Sequence, residues 1–335
     1  MNNLTATSVA LRLVLKTGAA LLAALLFSTV ATAQTPAWPA KPIRVVVSFP
    51  PGGAADQIAR AVALPLQEAL GQSVVVENRA GAGGNIGADA VAKAPADGYT
   101  LLMSSGGTIS INPHIYAKMP FDPNKDIVPV AAAARVLVFL EVNPAKVPVN
   151  NVKEFLAYLK ANPGKLTFGS PGSGSSPHLA AEMLKTQSGT FATHIPYRGA
   201  APALTDLLAG QIDFFFDPGI AFQHVKSGKL KMLAVGSPKR SALFPDVPTL
   251  DEAGLGGFDA DSVFGFYAPA GTPPDVITRL NREINRALQT PAVRDRIAGL
   301  GGEILPITPQ EFGAKAAADS QRFGALIKER KIVGD

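Results

Sequence analysis

The chain has 335 residues, 47% hydrophobic and 17% charged, too apolar for intrinsic disorder and long enough for two ordinary domains. It has no Cys, which removes disulfides, thiolate nucleophiles and Cys-ligated metals together. The net charge of +5 is small and scattered, with no long Lys/Arg run, so nucleic acid is not an expected partner.

Residues 1–33 carry Arg12 and Lys16 and no acid, then an Ala- and Leu-rich run from Gly18 to Val30, then Ala31-Thr32-Ala33. A basic start, an apolar stretch of about 7–15 residues and a small-x-small exit predict a secretory signal peptide. The run falls short of the ~20 apolar residues of a membrane span, and no Cys follows to accept a lipid. The expected mature chain starts near Gln34, with 29 Lys and Arg against 26 acids, and is soluble and exported.

Ile43–Phe49 is a short β-branched run, read as a buried strand that Pro50-Pro51-Gly52-Gly53 breaks. The next helix shows Ile58, Val62, Leu66 and Leu70 on one face, a kink expected at Pro65 and a stop at Gly71. A strand at Ser73–Glu77, the turn Ala80–Asn85, a helix through Ile86, Ala90 and Val91, and a strand at Thr100–Met103 follow. The pattern restarts with a helical stripe at Val152, Phe155, Leu156 and Leu159, then a strand at Leu166–Ser170. After Pro171–Ser176 a helix opens with Pro177 in its first turn, and Tyr197-Arg198 follows Ile195-Pro196 in an expected loop. Leu204, Leu207 and Leu208 mark a helix, and Ile212–Phe216, Lys231–Val235 and Ser262–Tyr267 read as strands. Helices at Pro273–Leu288, Pro291–Leu300 and Pro309–Lys328 end the chain.

Strands alternating with helices predict an α/β fold with parallel sheets. The extended segments Val130–Val142 and Phe258–Ala270 flank the second unit and read as strands by which the chain leaves one lobe and returns. The predicted organisation is a signal peptide at 1–33, a first lobe from 34–140 plus 258–335 and a second lobe at 141–257, with a cleft between the lobes.

Three strand-to-helix turns, Pro50–Asp56, Gly81–Gly87 and Gly172–Ser176, are expected to face that cleft. Helix starts present unpaired N–H groups and the positive end of a dipole, and glycines let an anion approach closely. Hydroxyls at Ser170, Ser173, Ser175 and Ser176 add donors, so the chemistry suits a carboxylate. Removing the Ser175 and Ser176 hydroxyls together is expected to weaken ligand affinity with little effect on the melting of the free protein. Asp56 and Asp217 sit beside candidate turns; Asp56 reads either as a helix-dipole partner or as a brace for the loop. His178 follows a helix start near the cleft, and Arg198 stands where it meets either an anion or solvent.

No named catalytic or cofactor pattern is complete. Gly81-Ala82-Gly83-Gly84-Asn85-Ile86 lacks the last glycine of the dinucleotide fingerprint, and there is no Walker loop and no Gly-x-Ser-x-Gly elbow. His114, His178, His194 and His224 have no metal-ligand spacing. No cofactor, no metal and no enzymatic activity are expected.

Several stretches together resemble one family: Trp38-Pro39 with Lys41-Pro42-Ile43, Phe49–Asp56, Val76–Gly87, Ala96–Leu102, Phe168-Gly169-Ser170 with Gly174–Ala180, His194–Gly199, Gly210–Asp213, Pro245–Thr249 and Ala268–Pro273. The chain resembles the Bug family, the extracytoplasmic substrate-binding receptors of tripartite tricarboxylate transporters. The resemblance implies a type II periplasmic-binding-protein fold, two lobes joined by a two-strand hinge. It also implies a monomeric periplasmic receptor that captures a small carboxylate, such as an organic, amino or aromatic acid, for membrane subunits. A ligand sensor for a membrane signalling partner is the alternative, and a secreted α/β enzyme a more remote one.

Carried over by residue, the resemblance implies a first-lobe clamp of Pro50, Gly52, Gly53, Ala54, Ala55 and Asp56, with Asn85, Ser104, Ser105 and Gly106. The opposing clamp would be Ser170, Gly174, Ser175, Ser176, Tyr197, Arg198, Gly199 and Asp217, with His178 nearby. The sequence departs from the family pattern at Val136–Glu141 and Pro218-Gly219-Ile220, and Arg198 stands where Lys is common. These positions are expected to border the pocket.

Overall fold

The computed structural model describes residues 38–332. The predicted signal peptide and the expected start at Gln34 lie outside the described residues. The chain runs β1 (Ile43–Val47), α1 (Ala54–Leu70), β2 (Val74–Asn78), α2 (Asn85–Ala92) and β3 (Thr100–Ser104), then a π-helical turn at Gly107–Ile111 continued by α3 (Asn112–Ile115), then β4 (Ile127–Val136). The middle of the chain is β5 (Phe139–Val142), α4 (Val152–Ala161), β6 (Thr167–Ser170), α5 (Ser176–Ser188), β7 (Thr193–Pro196), α6 (Ala200–Leu208), β8 (Phe214–Asp217), α7 (Phe222–Lys226) and β9 (Lys231–Val235). It closes with β10 (Ser262–Pro269), α8 (Pro274–Leu288), α9 (Pro291–Gly299), β11 (Gly302–Ile304) and α10 (Pro309–Arg330).

Two sheets result. The first has the order β11-β4-β10-β3-β1-β2, with β1 parallel to β2 and β3 and with β10 antiparallel between β3 and β4. The second has the order β7-β6-β8-β5-β9, with β6 parallel to β7 and β8 and with β5 antiparallel to β8 and β9. This is a two-lobed α/β fold with one sheet per lobe.

Local chemistry explains the elements. In α1, Ile58, Val62, Leu66 and Leu70 are buried along one face. Gly71 ends it at φ +66°, a left-handed conformation that favours glycine, with its N–H on the Gln67 carbonyl. The helix continues through Pro65, where a kink was expected. Asn151 caps α4 by accepting from the Glu154 N–H, and Thr308 and Glu311 form a reciprocal capping box on α10. Val276, Leu280, Ile284 and Leu288 bury one face of α8. In the second lobe Phe214 meets Phe155 edge to face and stacks on Phe168, with ring centroids 5.2 and 5.4 Å apart.

One element departs from expectation. The segment before Tyr197 is not a loop: Thr193–Pro196 pairs as strand β7 along β6, with Ile195 opposite Gly169. It is an edge strand, so the missing N–H of Pro196 costs no ladder bond inside the sheet.

The chain passes from the first sheet to the second through Leu137 and Val138 alone, and returns just before Ser262. Gly236, just after β9, bridges the two passages by hydrogen bonds. The Gly236 N–H donates to the Val138 carbonyl at 2.8 Å, and the Ala260 N–H donates to the Gly236 carbonyl at 2.9 Å. Arg135, at the end of β4, forms an ion pair with Asp261, and Ser237 donates to the same carboxylate at 2.7 Å.

Candidate functional site

The carboxyl ends of β1, β3, β6 and β8 and the N-termini of α1, α5 and α6 meet between the two sheets. They form a narrow pocket with a cavity volume of about 50 Å³, partly open to solvent. Of the predicted residues, Pro50, Gly53, Ala54, Ala55, Ser105, Ser175 and Ser176 line it. Pro51 lines it too, within the Pro50–Asp56 turn expected to face the cleft, whereas sequence reasoning did not place Phe49, Pro171, Pro177, Ala200, Ala201, Ser262 or Phe264 there. Val136, Val138 and Pro218 also line it, within the stretches that depart from the family pattern.

The first-lobe loop is braced from behind. The Asp56 carboxylate accepts from the Gly52 N–H at 3.0 Å, Arg60 Nε at 2.9 Å and Asn78 Nδ2 at 2.9 Å. Burial pushes this carboxyl up, but the bonds from Arg60, Gly52 and Asn78 outweigh it and hold it below its ordinary range. Asp56 and Gly52 therefore shape the loop and do not line the cavity. The first N–H groups of α1, at Ala54 and Ala55, have no acceptor within their own helix.

The second-lobe turn spends its hydroxyls internally. Ser175 Oγ donates to the Gly172 carbonyl at 2.7 Å and accepts from the His178 N–H, capping α5. Ser176 Oγ donates to the Ala260 carbonyl at 2.6 Å, tying the α5 N-terminus to the return passage. Neither hydroxyl proton is left for a ligand, so this turn offers the cavity the backbone start of α5 at Ser176, beside the start of α6 at Ala200 and Ala201 and the hydroxyl-bearing Ser105 and Ser262 that also line it. The expectation that the double serine change would spare the free protein is therefore corrected. Ser176→Ala alone is expected to cost about 1–2 kcal/mol of ligand-free stability, because the Ala260 carbonyl loses its donor. A urea melt of the free protein would read this, and an unchanged midpoint would contradict it.

Other predicted residues sit one layer away from the cavity. Ser104 Oγ lies 2.7 Å from Ser48 Oγ, and the Gly106 N–H donates to Ser262 Oγ at 3.1 Å. Asn85 Oδ1 accepts from Asn112 Nδ2 at 2.7 Å inside the first lobe. Gly199, at φ +131°, packs against the Pro50 ring, where a Cβ would sit 2.7 Å from Pro50 Cγ. Gly174 packs against Asn112 in the same way. These two glycines are contacts between lobes and do not line the cavity.

Ser170 Oγ lies 2.6 Å from His194 Nε2, a nucleophile–base spacing between residues 24 positions apart that no local motif announces. Ser170 is fully buried and is not among the residues lining the cavity between the sheets. It also accepts from the Gly172 N–H at 3.2 Å, so the pair holds the turn. His178 stacks on His194 with ring centroids 4.0 Å apart, and its Nδ1 accepts from the Gly174 N–H at 3.3 Å. Burial first, then the neighbouring His194 and Lys185, push His178 down to about 3, so the ring is neutral. Among the described residues no group of three or more His, Asp or Glu side chains is arranged to hold a metal.

Tyr197 and Arg198 line a second hollow beside the first, together with Gly81–Gly84, Gly172 and Ser173. Tyr197 donates its hydroxyl to Asp206 at 2.7 Å. Arg198 is exposed.

Asp217 ends β8 beneath Pro218. Its Oδ2 accepts from the Gly219 and Ala221 N–H groups at 2.9 and 3.0 Å, and its Oδ1 has no partner. Burial raises it to about 6 despite the bonds from Ala221, Ile220 and Gly219. Glu141 lies on the same face of the sheet, fully buried with neither carboxyl oxygen partnered, and is held well above its ordinary range by burial and by Asp217. A folded-state pKa above the unfolded one means that the native state holds the extra proton. The stability contributed by Asp217 is thus complete below about 4 and lost as pH rises through about 6. Glu141→Met removes the unpartnered carboxyl at similar volume and is expected to raise stability at pH 7 by about 1–2 kcal/mol. Urea midpoints at pH 5 and pH 7 would check both statements; a destabilised Glu141→Met at pH 7 would contradict the second.

The comparisons agree with this architecture. Residues 58–332 match the family model described as tripartite tricarboxylate transporter family receptor. Protein BugT of Bordetella pertussis is 40% identical over 295 residues, covering 87% of this chain and 90% of that one. The structure of the periplasmic binding protein BugD superposes with a TM-score of 0.84 at 35% identity, covering 89% of this chain and 100% of that one. An R. palustris protein with adipate superposes at 0.85 with 35% identity, covering 88% of this chain and 99% of that one.

Proposed function

The chain belongs to the tripartite tricarboxylate transporter receptor family, periplasmic solute-binding receptors and not enzymes, and from that premise we propose that it captures a small carboxylate between its lobes and delivers it to the membrane subunits of a tripartite transporter. The observation that carries the proposal is the convergence of three helix N-termini, from α1, α5 and α6, on one cavity between the sheets. Unpaired N–H groups and aligned helix dipoles hold an anion without a fixed cation. The adipate in the R. palustris relative is a carboxylate and supports the same class here.

In this reading the chain is exported with its signal peptide removed near Ala33, and acts as a monomer. Leu137-Val138 and the residues just before Ser262 form the hinge, dividing a first lobe from a second near the expected boundaries. Ligand binds both lobes at once only when they close, so closing is what binding stabilises.

Melting of the mature protein with adipate, malate, benzoate and glucose tests the proposal. A ligand that binds only the folded state at about 100 times its Kd adds about 2.7 kcal/mol. A carboxylate should raise the melting temperature and glucose should not. A glucose response with none from any carboxylate would sink it.

A further inference from the structure

Resting on the carboxylate-receptor reading, we infer that capture is linked to a proton: the buried Glu141–Asp217 pair beside the cavity is a proton-binding site, and it takes up a second proton as the ligand's carboxylate enters. The two side chains share one face of the second sheet, where β5 runs beside β8 with Phe139 opposite Asp217 and Phe215 opposite Glu141. Both are fully buried, and three of their four carboxyl oxygens have no partner. The fourth, Asp217 Oδ2, fastens the Gly219 and Ala221 N–H groups of the turn that follows. That turn opens with Pro218, which lines the cavity. Asp217 is thus the residue before a wall of the cavity and holds that wall in place.

Among the described residues no cation answers the pair. Of the elements packed on this face, α6 carries Asp206, which accepts from the Tyr197 hydroxyl. On α7, His224 is half-exposed and Lys226 exposed. On β9, Lys231 stands opposite Val142, on the other face from Glu141, and bonds Asn150. The end of α9 abuts Gly219 through the Leu300 carbonyl, and its Arg294, Asp295 and Arg296 are exposed.

A buried carboxyl with no partner keeps its proton, because its charge costs more there than in water. Burial and Asp217 hold Glu141 well above its ordinary range, and burial raises Asp217 to about 6. At pH 7 the pair therefore carries one proton and one negative charge. A carboxylate arriving against Pro218 brings another negative charge close to the first, where closing excludes water. Repulsion is stronger there than across solvent, so the bound state favours the second proton. The pair's pKa is then higher with ligand than without. Affinity is tightest below about 6 and weakens as pH rises through the bound-state value.

Infrared spectroscopy and calorimetry on the mature protein test this with adipate, malate and benzoate, all ionised at pH 7. The free protein at pH 7 should show a protonated-carboxyl band that Glu141→Gln removes. Whichever acid binds should add a second such band, which Asp217→Asn removes; the amide oxygen of that variant still accepts from the turn N–H groups. Titration at pH 7 in two buffers of different ionisation heat should show uptake of about 0.5–1 proton by the wild type and none by Asp217→Asn. Wild-type affinity should weaken by about three- to tenfold from pH 6.5 to pH 8 and stay level in Asp217→Asn. If Asp217→Asn does not fold, proton uptake by the wild type decides alone. Binding without proton uptake, uptake that survives in Asp217→Asn, or a free protein lacking the Glu141 band overturns the inference and leaves the carboxylate-receptor reading standing. Binding of none of the three acids also overturns it, and glucose binding in their place overturns both readings.

Discussion

Arg135→Met is expected to destabilise the protein by about 3–5 kcal/mol, the usual cost of removing one partner from a buried ion pair. The Asp261 carboxylate is nearly buried, its side chain 5% exposed, and its partners are Arg135 and Ser237. Burial already raises the Asp261 carboxyl to about 6 against the lowering effect of Arg135, so without the guanidinium it must take up a proton or remain charged with one hydroxyl to answer it. Glu303, the other acid near Arg135, is at 3.6 Å and largely exposed, so it contributes little. The position magnifies the consequence. Arg135 precedes the outward passage, Ser237 follows β9, and Asp261 immediately precedes β10, so three segments that carry the chain between sheets are tied at one point. The double variant Arg135→Met with Asp261→Leu removes both charges and is expected to recover most of the loss, because apolar replacement of a whole buried pair is often near neutral. Urea midpoints of the two variants decide the matter. A single variant within 1 kcal/mol of wild type would show that this pair does not clamp the passages.

The sequence exposed the fold because its strongest signals are local. β-branched runs ended by Pro-Gly, four-residue apolar spacing in α1 and α8, and two long extended segments each depend on neighbours within about ten positions. β7 escaped notice because four half-exposed residues ending in Pro196 carry no such pattern, and the three-residue β11 carries less. The site was legible as a set of turns and not as a set of contacts. Ser175 and Ser176 reach the cavity as expected, but the destination of each proton depends on partners the sequence does not order. Ser176 donates to Ala260, 84 positions away. The apolar walls were partly legible: Val136, Val138 and Pro218 fall in stretches that differ from the family pattern, whereas Phe264 and Ala201 are ordinary members of a strand and a helix start. Asp217 and His178 are polar residues beside turns, a pattern that marks a ligand contact and a buried support equally well. Here Asp217 fastens the exit of β8 and His178 stacks beneath the α5 start.

Gly174→Ala is expected to act twice, and the two effects separate in measurement. The residue sits at φ +83°, where an L side chain costs about 1–2 kcal/mol whatever surrounds it. That cost belongs to the second-lobe turn and should appear as a lower urea midpoint in the free protein. The new methyl group would also overlap Asn112 Oδ1 on the first lobe. Asn112 is fully buried, and its Nδ2 is held by the Gly83 carbonyl and Asn85 Oδ1, so it has no room to turn aside. The neighbouring contacts are equally tight: a Cβ on Gly83 would lie 2.5 Å from the Ser173 carbonyl, and one on Gly107 would lie 2.6 Å from the Gly174 carbonyl. Overpacking of this kind costs about 1–3 kcal/mol, and only when the lobes meet, so it should weaken ligand binding by about 5- to 150-fold. Gly189→Ala supplies the control. Gly189 ends α5 at φ +62° with nothing within 4 Å of its missing Cβ, so its change carries the strain without the overlap. It should lower the midpoint and leave affinity unaltered. Equal affinities for the two variants would mean that the lobes do not need this glycine seam to close on their ligand.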